Sequence, residues 1–325
     1  MSKLKFIWID DDPRRRTSSD NLKKAANLSG EFIDVKSQDY EVEIKSLLKK
    51  AEPDLILIDH NLREISTGIF KKGSTFAAYI RETWPECPIV CITAEDISTV
   101  DSQKRSLYDA IFSISKISSH YSTIISIAKS FKKLRNKRPQ NVMDILSLMK
   151  APNEDRVRLM TILPQELKEN FGDDSLFLNI SHWIRNTFIS RAGFVYDRLW
   201  IATILGLKEN SFSKVEDLFA KAKYSGIFSD SSNEVWWKSE VLSILSDNVK
   251  EFGLPWEKGR LLPSISKKDY SQCYVTGEEY PETVAFIDET KGSKRAPMKL
   301  HQTISHPSYE DLLFFEEIRL MKPAE

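Results

Sequence analysis

Three aspartates in a row, Asp10, Asp11 and Asp12, follow the apolar run FIWI, and a fourth, Asp59, ends the aliphatic run LILI. Thr93 closes a third such run, IVCI, and Lys116 follows a fourth, AIFSIS. These residue types are the working parts of phosphoryl transfer onto a carboxylate. Clustered carboxylates repel one another, which raises their proton affinity unless a hard divalent cation neutralises them. Mg²⁺ suits such a set, because it takes a few carboxylates together with water and phosphate oxygens. A phosphoryl group in transfer needs its equatorial oxygens neutralised, one by the metal, another by a lysine ammonium and a third by a hydroxyl. Asp59 supplies the nucleophile, Lys116 the ammonium and Thr93 the hydroxyl, with Mg²⁺ as the implied cofactor.

For these residues to converge, each must end a neighbouring strand of one parallel sheet, since the ligand site of an open α/β sheet lies outside the carboxyl ends of its strands. The pattern supports that. Short apolar runs at 5–9, 31–35, 55–58, 88–92 and 110–114 alternate with helical spacing around Leu22, Ala25 and Ala26, around Leu47 and Leu48, and over 74–83, 103–107 and 119–134. Five strand-then-helix repeats predict a doubly wound parallel sheet. The run at 55–58 is aliphatic throughout, as a central strand covered on both faces requires.

The segments FIWIDDDP, DLILIDHNL, PIVCITAED and SISK, in that order, resemble the four signature segments of response-regulator receiver domains of two-component signalling. The likeness covers residues 1 to about 135 and implies a five-stranded flavodoxin-like fold. It implies that Asp10 and Asp11 hold Mg²⁺ with Asp59 and the backbone carbonyl of Asn61, that Asp59 accepts the phosphoryl group, and that Thr93 and Lys116 contact its oxygens. The implied partner is a sensor histidine kinase or a phosphotransfer protein. Asn61 and Glu95 occupy the two positions that modulate phosphoryl lifetime in this family, and similar pairs in chemotaxis-type receivers imply rapid self-dephosphorylation. The sequence also departs from the family. Ile117 stands where proline usually follows the lysine, Ser113 stands where an aromatic switch residue is usual, with Phe112 one place away, and residues 63–72 make a long connection after the acceptor strand. That connection has the length to dock a kinase or a second domain.

Each residue also has a plainer reading. Asp10–Asp12 before Pro13 is a good helix cap, and Thr93 or Lys116 alone reads as a solvated surface residue. His60 reads as a partly exposed bystander of Asp59. His301 and His306 lie among Lys291, Lys294, Arg295 and Lys299, which suits either an anion site or a solvated loop. The three cysteines, Cys87, Cys91 and Cys273, have neither a paired framework nor zinc spacing.

At 325 residues the chain exceeds what one core accommodates, so at least two domains are expected. The charged run KKLRNKRP sets the expected boundary: a receiver at 1–136, a mostly helical domain at 137–264, and a small α+β extension at 265–325, with strand-like CYVTG and TVAFID and a helix at 309–321. Helical spacing in the middle region runs through Phe177, Ile180, Ile184 and Phe188, then Leu199, Ile201, Ile204 and Leu205. Residues 1–138 carry 24 Lys+Arg against 19 Asp+Glu, leaving 23 against 28 for the rest, so the output half is mildly acidic and DNA is not its expected partner. No run approaches the roughly 18 apolar residues of a membrane span, and a cytoplasmic location is expected. The expected function is a response regulator whose helical part acts through protein contacts. Two other readings stay open: a phosphate sink in a branched phosphorelay, such as a bacterial defence pathway, and an effector enzyme gated by phosphorylation, although the second half shows no separate catalytic motif.

Overall fold

In a computed structural model of the chain the apolar runs become a parallel sheet. The structure describes residues 3–26, 28–35, 51–62, 72–100, 105–231, 234–272, 283–288 and 294–299, with isolated positions 42, 45, 46 and 49. The helix expected around Leu47 and Leu48, most of the connection 63–72, the CYVTG strand, His301, His306 and the helix at 309–321 lie outside them.

Strands β1 (Lys5–Asp10), β2 (Ser29–Asp34), β3 (Leu55–Asp59), β4 (Ile89–Thr93) and β5 (Ala110–Ser113) form one sheet in the order β2-β1-β3-β4-β5, every pair parallel. This is the doubly wound flavodoxin-like order expected of a receiver fold, and its strand-order reversal beside β1 and β3 creates the crevice for a ligand. All five residues of β3 and of β4 are buried, as the unbroken aliphatic runs predict. One face of the sheet packs Ile7, Ile9, Ile56 and Ile58 with Phe76, Ala77 and Ile80 of helix α2 (Gly73–Thr83). The alternate residues Phe6, Trp8, Leu55, Leu57, Val90 and Ile92 serve the other face and are also buried. Helices α1 (Arg16–Ala26) and α3 (Tyr121–Lys137) complete this part of the fold, α3 burying Ile124, Ile127, Phe131 and Leu134 at helical spacing.

The chain divides into two compact units, and neither is continuous in sequence. The first takes residues 1–149, 158–185 and 226–232; the second takes 150–157, 186–225 and 233–325. The first unit therefore runs beyond the sheet and α3. Helix α4 (Val142–Leu148) is capped by the Asn141 side chain, which accepts from the Asp144 N–H at 3.0 Å. Helix α5 (Asn153–Ile162) lies across the division, and a short turn, α6 (Glu166–Glu169), follows it. Helix α7 (Leu176–Trp183) and the π turn after it are tied to the segment entering β5: His182 Nε2 lies 3.1 Å from the Tyr108 carbonyl oxygen, and the Arg185 guanidinium of the turn donates to that of Asp109. Residues 226–232 return late in the sequence to the same unit. There the Phe228 N–H donates to Ser130 Oγ of α3 at 2.9 Å, and the Phe228 ring meets Phe131 edge-on with centroids 5.9 Å apart.

The second unit has the expected helical character, with a small amount of strand. Helices α8 (Arg198–Ile204), α9 (Lys238–Asn248) and α10 (Pro255–Arg260) and several 3-10 turns accompany an antiparallel pair, β6 (Val195–Asp197) with β7 (Val235–Trp237). Its core includes Ile201, Leu205, Phe212, Phe219, Trp236, Val241 and Leu245. Gly206, at φ +67°, ends α8 in the left-handed conformation that glycine adopts without a Cβ clash, and Leu207 N–H closes the turn onto the Ala202 carbonyl at 2.8 Å. The TVAFID run forms β8 (Thr283–Asp288), antiparallel to β9 (Lys294–Lys299).

Candidate phosphoacceptor site

The site is built by the ends of β1, β3 and β4. β1 runs out through Asp10, which is fully buried, into Asp11, which is nearly so. A carboxylate with no exposure needs partners, and Asp10 has two donors: Trp8 Nε1–H at 3.2 Å and the Asp12 backbone N–H at 2.9 Å. Asp12 turns the other way. Its side chain caps the 3-10 turn Pro13–Arg15 by accepting from the Arg14 N–H at 3.0 Å, and it grips the Arg14 guanidinium at 2.9 Å. The capping role is thus taken by Asp12, leaving Asp10 and Asp11 for the site. Asp12 is accordingly held well below the usual carboxylate range, at about 2, chiefly by that hydrogen bond from Arg14.

Asp59 ends β3 and is buried, its Oδ1 facing the Asn61 N–H at 3.5 Å. One ligand oxygen from each of Asp10, Asp11 and Asp59 can be chosen so that all lie within 4.8 Å of one another. Such proximity disfavours three negative charges. Asp59 is raised to about 7, first by burial and then by the neighbouring Asp10; Asp10 is raised to about 6, again mainly by burial. Thr93 ends β4 next to Asp59 in the sheet, with Asp59 paired to Ile92, and its Oγ1 accepts the Glu95 N–H at 3.0 Å. These residues open into a cavity of about 450 Å³ lined by Asp11, Asp12, Arg14, Arg15, Asp59, Asn61, Thr93 and Glu95, among others.

The donor set fits Mg²⁺: hard carboxylate oxygens, close together, beside a cavity with room for water and a phosphate. Asp10, Asp11 and Asp59 would hold the ion, with the Asn61 carbonyl as the expected further ligand. Of the residues picked out in the sequence, the structure gathers Asp10, Asp11, Asp59, Asn61, Thr93 and Glu95. Lys116 follows β5, as its place in the sequence implies, and does not line the cavity. β4 and β5 pair with Thr93 opposite Ser113, so β5 ends there, and Lys116 falls on the following 3-10 turn Ile114–His120, exposed and outside the cavity lining.

Among the described residues, Arg15, which sequence reading passed over, reaches the carboxylates. Its side chain is only 12% exposed, with Nη1 3.6 Å from Asp10 Oδ2 and Nη2 3.6 Å from Asp59 Oδ2. Gly73 was also passed over. It starts α2 against the end of β3, its N–H donating to the His60 carbonyl at 2.9 Å. His60 itself is buried, with Nδ1 3.4 Å from the Tyr108 hydroxyl.

No protein-family model matches the chain, and no curated protein matches it. Solved structures do. The N-terminal domain of a response regulator/sensory box/GGDEF three-domain protein from Carboxydothermus hydrogenoformans is 21% identical over 41% of this chain and 96% of its own, with a TM-score of 0.31. A two-component response regulator from Clostridium difficile is 18% identical over 39% of this chain and 97% of its own, TM-score 0.31. A chemotaxis response regulator of Vibrio cholerae is 19% identical over 35% of this chain and 88% of its own, TM-score 0.28.

Proposed function

We propose that the protein is a response regulator that accepts a phosphoryl group on Asp59 from a sensor histidine kinase or phosphotransfer protein, in a Mg²⁺-dependent reaction. The observation that carries this reading is the gathering of Asp10, Asp11 and Asp59 at the ends of β1 and β3, with ligand oxygens within 4.8 Å, beside a cavity that Asp11, Asp59 and Thr93 line.

The chemistry follows from the residues. An ionised Asp59 oxygen attacks phosphorus while the donor's bond to phosphorus breaks, and the departing group keeps the electron pair. Burial holds Asp59 near 7, so a neighbouring cation is needed to favour the ionised nucleophile. When bound, Mg²⁺ supplies charge neutralisation for the carboxylates and for one phosphoryl oxygen. Thr93 Oγ1 already accepts from the Glu95 N–H, so its own hydroxyl proton remains to donate to a second oxygen. Asn61 and Glu95 line the same cavity, where they would act on the water that later attacks phosphorus and returns Asp59 to a carboxylate. The second compact unit is the output element, working through protein contacts.

Incubating the full chain with Mg²⁺ and acetyl phosphate tests this by intact mass. An adduct of one phosphoryl group, absent in Asp59→Asn, is the expected result, with decay in minutes. No adduct on a folded wild type overturns the assignment. An adduct lasting hours would keep the receiver and remove the rapid-turnover reading that a phosphate sink requires.

A further inference from the structure

Three consecutive arginines follow Pro13, and the structure sends them in three directions. Arg14 points outward, its side chain 89% exposed, pulled into the two-pronged pair with Asp12. Arg16 stacks over the Phe32 ring at 5.1 Å. Arg15 turns inward. Its guanidinium spans three carboxylates, Asp10 at 3.6 Å, Asp59 at 3.6 Å and Asp12 at 3.9 Å.

At these lengths the contacts are ion pairs and not hydrogen bonds. Arg15 Nη1 is buried and has no hydrogen-bond partner. A buried donor without an acceptor costs about 1–3 kcal/mol, and more when charged, so the position calls for an acceptor that arrives. A phosphoryl group on Asp59 is such an acceptor: its oxygens would extend from the carboxylate that Nη2 of the same guanidinium already faces at 3.6 Å, with Nη1 beside it. The planar guanidinium meets phosphate oxygens with two parallel N–H groups. Lys116, meanwhile, lies exposed on the turn after β5.

We propose that Arg15 is the cation that contacts the phosphoryl group on Asp59, in the role the sequence assigned to Lys116. The inference rests on the proposed receiver function. In the reaction with acetyl phosphate, an Asp59 oxygen forms the new bond to phosphorus while the bond from phosphorus to the acetyl oxygen breaks, and acetate leaves with the electron pair. Arg15 remains protonated throughout, gives up no proton, and neutralises charge on the equatorial oxygens.

The test compares the full chain with Arg15→Ala, Arg15→Lys, Lys116→Ala and Asp59→Asn. It measures the rate of labelling by acetyl phosphate, the affinity for beryllofluoride in saturating Mg²⁺ by tryptophan emission, and the affinity for Mg²⁺ alone. Arg15→Ala is expected to slow labelling by about a hundredfold and to weaken beryllofluoride binding by about tenfold or more. Arg15→Lys recovers part of both, and Lys116→Ala stays within about twofold of wild type. Loss in Lys116→Ala with none in Arg15→Ala overturns the proposal. So does an Arg15→Ala protein that binds Mg²⁺ more tightly and labels as fast as wild type, which would make Arg15 a counter-ion that the metal displaces. Wild type that never labels fails the receiver reading itself, whereas wild type that labels beside an unaffected Arg15→Ala fails this proposal alone. Arg15→Lys keeps the charge, so it answers the question if the alanine variant does not fold.

Discussion

A Cβ placed on Gly73 would lie 2.0 Å from the backbone carbonyl oxygen of Asp59 and 3.2 Å from the His60 Cα. The start of α2 is therefore pressed directly against the chain that presents the proposed acceptor carboxylate, and only hydrogen fits between them. Gly73→Ala must push the helix off the strand end, because the obstructing atom belongs to backbone and cannot rotate away. Overpacking of this kind costs about 1–3 kcal/mol. The expected outcome is a lower unfolding midpoint together with weaker Mg²⁺ binding, read by chemical denaturation and by metal titration. A variant with wild-type stability and affinity would show that the helix start yields freely.

The acidic cluster makes stability depend on pH in a direction opposite to the usual one for paired carboxylates. Asp59 is raised from 3.8 to about 7 and Asp10 from 3.8 to about 6, in both cases chiefly by burial. Between the ordinary carboxylate range and these values the folded chain binds more protons than the unfolded chain, so stability falls as pH rises through that window. In a chelating buffer the unfolding free energy is expected to drop by a few kcal/mol between about pH 4.5 and pH 8. Asp59→Asn should flatten most of the slope, and millimolar Mg²⁺ should oppose it at the alkaline end. A denaturation series across this range, with and without the metal, reads all three. A slope rising with pH would mean that the carboxylates are already neutralised by Arg15 alone.

What the sequence revealed and what it hid separate along physical lines. Asp10, Asp59 and Thr93 were legible because each ends a buried apolar run, and a run of that kind fixes both the strand and the end at which a ligand site forms. Lys116 was read as following the fifth apolar run, and the structure puts it there, exposed on the 3-10 turn after β5 ends at Ser113. Arg15 was hidden because one arginine among three, next to a proline, reads as surface; only the cap that draws Arg14 to Asp12 decides which one turns inward. The return of residues 226–232 to the first unit was hidden for another reason: no local pattern records a contact between Phe228 and Ser130, 98 positions apart.

Trp8 offers a direct reporter of the site. It is fully buried in β1, and its indole N–H donates to Asp10 Oδ2 at 3.2 Å. An indole hydrogen-bonded to a proposed metal ligand should change emission when that carboxylate takes up a cation. Mg²⁺ titration is expected to alter tryptophan emission, and Trp8→Phe should lose that response although the other tryptophans remain. The same variant takes a donor from Asp10, which raises the cost of its ionised form. Mg²⁺ affinity measured by calorimetry should therefore weaken severalfold. An unchanged emission response in Trp8→Phe would assign the signal to another tryptophan.

Phe228 tests whether the late segment belongs energetically to the sheet unit that contains it. Its ring is almost wholly buried against Phe131, its N–H is taken by Ser130, and the adjoining Ile227 N–H donates to the Leu148 carbonyl at 3.0 Å. It also sits at φ +65°, a conformation that bulky side chains rarely adopt. Packing must outweigh that strain for the residue to stay there. Phe228→Ala removes the packing and leaves the backbone demand, so a loss of about 3–5 kcal/mol is expected. Phe228→Gly relieves the backbone and should lose less than the alanine variant. Ordering the two by denaturation, with hydrogen exchange followed on α3, distinguishes the cases. If exchange on α3 is unmoved in both, residues 226–231 do not stabilise the helix on which they rest.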